Sequence, residues 1–493
     1  MSSRHRARLL VTALVALALR GAAPAALDAR PVRSGGVAPP SHTGGLFTAA
    51  AVATGRVASL GTMRELPEGR LASSALSAAD GSDRDRGPWL QAMLVDAAAG
   101  AVIEVPPGIY TGPFAIERPV TLRGHGRATL VGDGRTHVVA VRAPDVTIDG
   151  FAIRGSGGSL SEDHAAVHVT GARAVIENNR ITESLHGVYV RHGDRVRIIG
   201  NVILGRSEVL EPVDPLRNGL EPGAGELCAV PLDQNLRGNG VHIWNSTGHV
   251  IAGNTIRYTR DGIYLSFVDD SEVRDNDIQH VRYGLHYMYS DHNRFERNLF
   301  TDNAAGAALM FSKGLTLAGN RFVANRSHRA YGLLLQSVDE TTIADNEIAG
   351  NTLGLFIEGG HGNRVLRNRV VGNHVGIRVS DSSDENVFAA NRFAGNVHPV
   401  ETSGVNGSNR WALDGRGNDW DDASRLDLDG NGIADLPHRE LDLFGDLRRP
   451  FPAIGLLAGS PGERLLRFVY ARIAIPGIPG VVDPAPLVTG GAR

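Results

Sequence analysis

The 493-residue chain contains one cysteine, five methionines and only 5% aromatic residues. The single thiol, Cys228, cannot close an intramolecular disulfide, so an oxidising compartment would be tolerated without being used to staple the fold. So few aromatics beside 61 glycines are unusual for a compact globule of this size and point to many turns. Lys and Arg number 50 against 53 Asp and Glu, without basic runs, so the electrostatic footprint of a nucleic-acid binder is missing. Long apolar runs are also missing. Beyond the first thirty residues no window holds about 18 apolar residues, so nothing there reads as a membrane span.

Those first residues read as an export signal: Arg4, Arg6 and Arg8, an apolar run from Leu9 to Leu19, and small residues around Ala23-Pro24-Ala25. We expect a signal peptide over 1–25 and a poorly ordered arm over 26–85, rich in Ala, Gly, Ser and Pro.

From there the chain follows a ruler. Gly240, Gly262, Gly284, Gly306, Gly332, Gly354 and Gly376 are separated by 22, 22, 22, 26, 22 and 22 residues. Asn254, Asn276, Asn298, Asn320, Asn346 and Asn368 carry the same single 26-residue step, and Asn179 and Asn201 extend the ladder backward. The four extra residues therefore fall at or beside Arg326 to Arg329. Between rungs, apolar and polar residues alternate at period two, the mark of a strand with one buried face. Repeated short strands with stacked turn asparagines predict an all-β fold, a right-handed parallel β-helix over 86–405 with 22-residue coils. An irregular insertion is expected at about 206–237, then an irregular segment over 406–455 and a helix-bearing tail over 456–493.

In each coil the first and third residues after the glycine point inward, and the second and fourth point out. The second positions read Tyr189, His242, Tyr264, His286, Ala308, Leu334, Phe356 and Arg378; the fourth read Arg191, Trp244, Ser266, Met288, Met310, Gln336, Glu358 and Ser380. Two consequences follow. His242, Trp244, Tyr264, Leu334 and Phe356 form a surface apolar enough to need a partner. Met288 and Met310 stack on neighbouring coils beside His286, with His292 just past that strand and His328 in the four-residue insertion. Thioether with imidazole selects Cu(I) over hard cations. The alternative is an adaptable hydrophobic contact patch.

Two features lie beyond the coils. In DLDGNGIAD, Asp427, Asp429, Asn431 and Asp435 occupy positions 1, 3, 5 and 9 of a calcium-type loop, but position 12 is His438 and Glu440 comes two residues late. Ca2+ binding and a plain acidic turn both remain open. Ser460-Pro-Gly-Glu463 is a capping box that starts a helix over about 461–473. Leu465 and Phe468 on that helix, with Ile475 and Ile478 after it, would either cap the solenoid or dock on a membrane partner.

GNGVHIWNS (238–246), RDGIYLSFVD (260–269), YGLHYMYSDHN (283–293), HRAYGLLLQSVD (328–339), GLFIEGGHGN (354–363), DGRGNDWDD (414–422) and IPGIPGVVDPAPL (475–487) together resemble the NosD family, periplasmic β-helix proteins needed to mature nitrous oxide reductase. The resemblance spans about Leu90 to Leu487 and implies a non-enzymatic assembly role. It implies as partners an ABC-type permease with its cytoplasmic ATPase, a lipoprotein copper chaperone and apo nitrous oxide reductase. Copper, as transient Cu(I), would be delivered to the copper-sulfide centre at the periplasmic face of the inner membrane. His286, Met288 and His292 match the family's HYMYSDH-like segment. The competing class is a carbohydrate-active β-helix enzyme, a polysaccharide lyase, hydrolase or epimerase, which needs acid and base groups converging on one groove. The outward columns offer only Glu358 and Arg378 for that.

Overall fold

The computed structural model describes residues 85–206, 208–212, 227–231, 233–327, 330–402, 408–441, 460–462, 465 and 480–488. The chain divides into two units, Met1–Ser82 and Asp83–Arg493, and the described residues all belong to the second.

That unit is a parallel β-helix. Twelve strands, from Phe114–Ile116 to His398–Thr402, stack in sequence order as one parallel sheet, and a 23-stranded sheet forms the remaining walls. Register follows the ruler: Val273, Phe295, Leu317, Ile343 and Val365 are successive partners, as are Ile278, Phe300, Phe322, Ile348 and Val370. Both rows are buried in one continuous core. The opening glycines exist because the coils approach closely there. A Cβ on Gly284 would lie 2.5 Å from the carbonyl oxygen of Gly306 and 2.6 Å from the ring of Phe300.

The asparagine ladder is buried and unbroken. From Asn179 through Asn201, Asn254, Asn276, Asn298, Asn320, Asn346, Asn368 and Asn391 to Asn418, each side-chain amide donates to the next side-chain carbonyl at 2.9–3.1 Å. The insertion leaves this stack undisturbed. His186–Arg191 pairs directly with Val241–Thr247, while Glu208–Pro212 and Leu227–Pro231 form an antiparallel pair where an irregular excursion was expected.

One element escaped the periodicity. Gly87–Asp96 is an α-helix with proline in its first turn, and it buries Leu90 and Leu94. Asp85 Oδ1 accepts from the amides of Gly87 and Thr111, which ties the helix start to the first coils. Its contacts with Gly108–Thr111 and Phe114–Ile116 cover strands near the solenoid's open end. At the other end Trp411 and Trp420 stack on Phe388 and Phe393, both with ring centroids 4.2 Å apart. Among the described residues, no helix is long and apolar enough to cross a membrane.

Candidate metal and docking surface

Both outward columns are in register. Tyr189, His242, Tyr264, His286, Ala308, Leu334, Phe356 and Arg378 are successive partners. So are Arg191, Trp244, Ser266, Met288, Met310, Gln336 and Glu358. Met288 and Met310 are therefore direct neighbours on adjacent strands, and their inward companions Leu285 and Tyr287 are buried. The Tyr264 hydroxyl donates to Met288 Sδ at 3.8 Å.

His286 is held in a defined way. Its Nδ1 lies 3.0 Å from Oδ2 of buried Asp261, which also receives two bonds from Arg282, at 2.8 and 2.7 Å. Burial pushes the Asp261 carboxyl up, but the bonds from His286 and Arg282 outweigh it and hold the group below its ordinary value. An ionised carboxylate only accepts, so Nδ1 carries the proton. In the neutral ring, Nε2 then keeps its lone pair, the arrangement by which carboxylates orient ligating histidines.

The same sheet face continues upstream in a row of imidazoles that the periodic reading did not reach. The rings of His137 and His168 stack at 4.1 Å, His168 and Tyr189 at 5.6 Å, and His186 lies 5.4 Å from His242. Burial lowers His137, His168 and His186 to about 4 and His242 to about 3, the last helped by the neighbouring His186. These rings are neutral at pH 7. Backbone amides of Ala165 and Asn239 donate to Nδ1 of His137 and His186, so Nε2 of those rings carries the proton. In these two rings the nitrogen that would offer a lone pair is already taken by a backbone amide, whereas in His286 the bonded nitrogen is the one that carries the proton.

This burial has a pH signature. His186 and His249 are both buried and both depressed to about 4 from 6.5. Between pH 6.5 and 4 the unfolded chain gains protons that the folded chain does not, so stability is full above 6.5 and falls as the pH drops. Each of the two should cost ~3 kcal/mol by pH 4. Thermal denaturation at constant ionic strength should show the midpoint falling across this window, and His186→Gln should flatten the fall.

His292 sits on an exposed turn at φ 58°, with Nδ1 4.0 Å from Asp270 Oδ1, beyond the strand that carries Met288. His328 lies outside the described residues. The apolar face open to a partner is smaller than the columns alone suggest. Leu334 is only 8% exposed, packed in register between Ala308 and Phe356. Trp244 is covered by the Arg191 guanidinium at 5.0 Å, and His242, Tyr264 and Phe356 are half-buried. Arg378 is bound to Glu401 and lies 5.8 Å over the Phe356 ring, so the enzyme reading finds it already paired.

A second apolar feature is more exposed. Phe267, Tyr289 and Phe311, one residue past Ser266, Met288 and Met310, are 50%, 46% and 45% exposed and stack at 5.2 and 5.0 Å. Their backbones adopt φ of 54°, 52° and 53°. This left-handed corner sends outward a residue that strict alternation would send inward, so the ridge is invisible to a period-two reading.

In the acidic loop, Asp427 accepts from the amides of Gly430, Asn431 and Gly432, Asp429 from Asn431, and Asp435 from Leu428. Amides of the loop itself, Gly432 first, hold the Asp427 carboxyl below its ordinary value. These bonds cap the turn from within, and among the described residues its carboxylates are not a group of three whose oxygens all lie within 4.8 Å of one another. Pro461, Gly462 and Leu465 are helical and Leu465 is exposed, while Phe468, Ile475 and Ile478 lie outside the described residues.

A family model described as NosD, periplasmic copper-binding protein, matches residues 225–424. A Stutzerimonas stutzeri relative named "Probable ABC transporter binding protein NosD" is 31% identical over 401 residues, 78% of this chain and 86% of that protein. A Pseudomonas aeruginosa relative of the same name is 31% identical over 397 residues, 77% and 86% of the two chains. Among solved structures, the periplasmic alginate epimerase AlgG is similar at 12% identity and a TM-score of 0.44, over 63% of this chain and 84% of that one.

Proposed function

Because the chain belongs to the NosD family, we propose that it is a periplasmic, non-enzymatic accessory protein that passes Cu(I) toward the copper-sulfide centre of nitrous oxide reductase. In this reading it works with an ABC-type permease and its ATPase, and receives copper from a lipoprotein chaperone. Copper is cargo here, and the chain offers it a resting place.

The observation that carries this reading is the in-register pair Met288 and Met310, flanked by His286 and edged by the exposed ridge Phe267, Tyr289 and Phe311. Two thioethers and one oriented imidazole form a soft, nearly uncharged donor set of the kind that favours Cu(I). The set lies on a strand face, open to a second protein. The ridge beside it supplies flat aromatic area on which a copper donor could seat, bringing its own ligands to the pair. His292 and His328 would be peripheral ligands, and the tail with Leu465, Phe468, Ile475 and Ile478 would face the permease.

The reading is tested by complementing a deletion strain. Wild-type protein should restore a reductase with the absorption of its copper-sulfide centre, and the double variant M288L/M310L should accumulate in the periplasm yet leave most of the reductase without that centre. Full restoration by the double variant would remove the methionine pair from the pathway.

A further inference from the structure

Beyond the last coils, His438–Leu441 pairs antiparallel with Gly480–Asp483, His438 opposite Asp483 and Glu440 opposite Val481. Residues two apart on a strand share a face, so His438 and Glu440 point the same way. Both are buried, at 7% and 6% exposure. The His438 ring stacks on Trp420 at 4.6 Å, and Trp420 Nε1 donates to Asp483 Oδ2 at 2.9 Å. The side chain of His438 is thus clamped between the solenoid's closing tryptophan and the terminal strand pair.

Its Nε2 is buried and has no hydrogen-bond partner among the described residues. A buried polar atom left without a partner is ordinarily destabilising. This nitrogen instead faces two carboxylates, Asp422 Oδ1 at 3.8 Å and Glu440 Oε2 at 3.7 Å. Both separations are too long for hydrogen bonds. Among the described residues, Asp422, His438 and Glu440 are the one group of three or more His, Cys, Asp or Glu whose ligand atoms all lie within 4.8 Å of one another. A tetrahedral ion bonded to each at ~2.1 Å would set ligand separations of roughly 3.4 Å, so the two separations from His438 need to contract by only a few tenths of an ångström.

We propose that Asp422, His438 and Glu440 hold a borderline divalent cation of the zinc class. One imidazole and two carboxylates without sulfur suit Zn2+ and disfavour Cu(I), so this site is chemically separate from the methionine pair. The imidazole also disfavours Ca2+, which takes oxygen ligands. The Asp422 side chain is 61% exposed, so water can complete the coordination on that side. The ion would fasten the terminal strand pair to Trp420, whose strand Asp419–Trp420 pairs with Arg392–Ala394 of the solenoid. His438 and Glu440, which fit the calcium-loop pattern poorly, belong to this second arrangement instead.

The test uses full-length mature protein stripped with a chelator and titrated with Co2+, read by its visible absorption, and with Zn2+ against a chromophoric chelator. One equivalent should bind with a dissociation constant at or below about 1 μM, and the melting temperature should rise on loading. H438Q and E440Q should abolish binding, D422N should weaken it at least about tenfold, and M288L/M310L should leave it intact. If H438Q fails to fold, D422N still decides, because its side chain is largely exposed. Absence of Co2+ and Zn2+ uptake by the wild type, wild-type affinity in D422N or in E440Q, or equally tight Ca2+ binding would each overturn the assignment.

Discussion

Replacing Asn298 by alanine should destabilise the middle of the solenoid by about 4 kcal/mol, far more than a typical polar-to-alanine change. The Asn298 side chain makes four hydrogen bonds inside the wall. Its Nδ2 donates to the Val273 carbonyl at 2.8 Å and to Asn320 Oδ1 at 2.9 Å. Its Oδ1 accepts from the Asn276 amide at 3.1 Å and from Asn276 Nδ2 at 2.9 Å. Alanine removes all four: it strands the buried backbone amide of Asn276, leaves Asn276 Nδ2 with only the Ile251 carbonyl, and takes a donor from the buried Val273 carbonyl. These groups lie away from bulk solvent: Asn276, Asn298 and Asn320 are all at most 1% exposed. Each orphan costs about 1–3 kcal/mol, and the ladder's bonds reinforce one another along the stack.

The damage should stay local. In a solenoid each coil contacts only its neighbours, so hydrogen exchange should accelerate in Glu272–Arg274, Arg294–Glu296 and Thr316–Ala318 before it does in distant coils. Unchanged exchange in these three strands would show that the ladder is decorative. N298D should be worse than N298A at neutral pH, because a carboxylate cannot donate to the Val273 carbonyl or to Asn320 Oδ1. A carboxyl there would titrate above its unfolded value, so that variant should recover stability as the pH falls.

The coil architecture was legible because the sequence repeats what the structure repeats. Glycines at a fixed step mark where Gly284 must approach the carbonyl of Gly306, and asparagines at the same step mark the ladder. Once the step is known, register follows, and so does the meeting of Met288 with Met310. Where the step is irregular, legibility ends. Ala115, Ala140, His168 and Tyr189 are successive partners separated by 25, 28 and 21 residues, so no constant step marks the upstream histidine row. The ridge Phe267, Tyr289 and Phe311 was hidden for another reason, since a left-handed backbone reverses the expected side. The trio Asp422, His438 and Glu440 is assembled by tertiary packing after the repeats end, and no local spacing announces it.

The Met288 and Met310 pair was readable as a juxtaposition, whereas its flanking geometry was not. Only the structure shows Asp261 and Arg282 orienting His286, or Tyr264 donating to Met288. That geometry makes a strong prediction. Leucine is close to methionine in volume and lacks only the sulfur donor, so M288L/M310L should shift stability by less than ~1.5 kcal/mol. Cu(I) affinity should nevertheless drop by at least about a hundredfold, because thioethers supply the soft donors and His286 alone cannot hold the ion. H286Q should weaken binding less, roughly tenfold, since both sulfurs remain.

The most direct test is therefore Cu(I) competition against a chromophoric chelator, under anaerobic conditions, for wild-type protein and M288L/M310L side by side. The wild type should withdraw Cu(I) from the chelator, and the double variant, folded by circular dichroism, should not, if the methionine pair holds the ion. Equal withdrawal by both proteins would contradict that role.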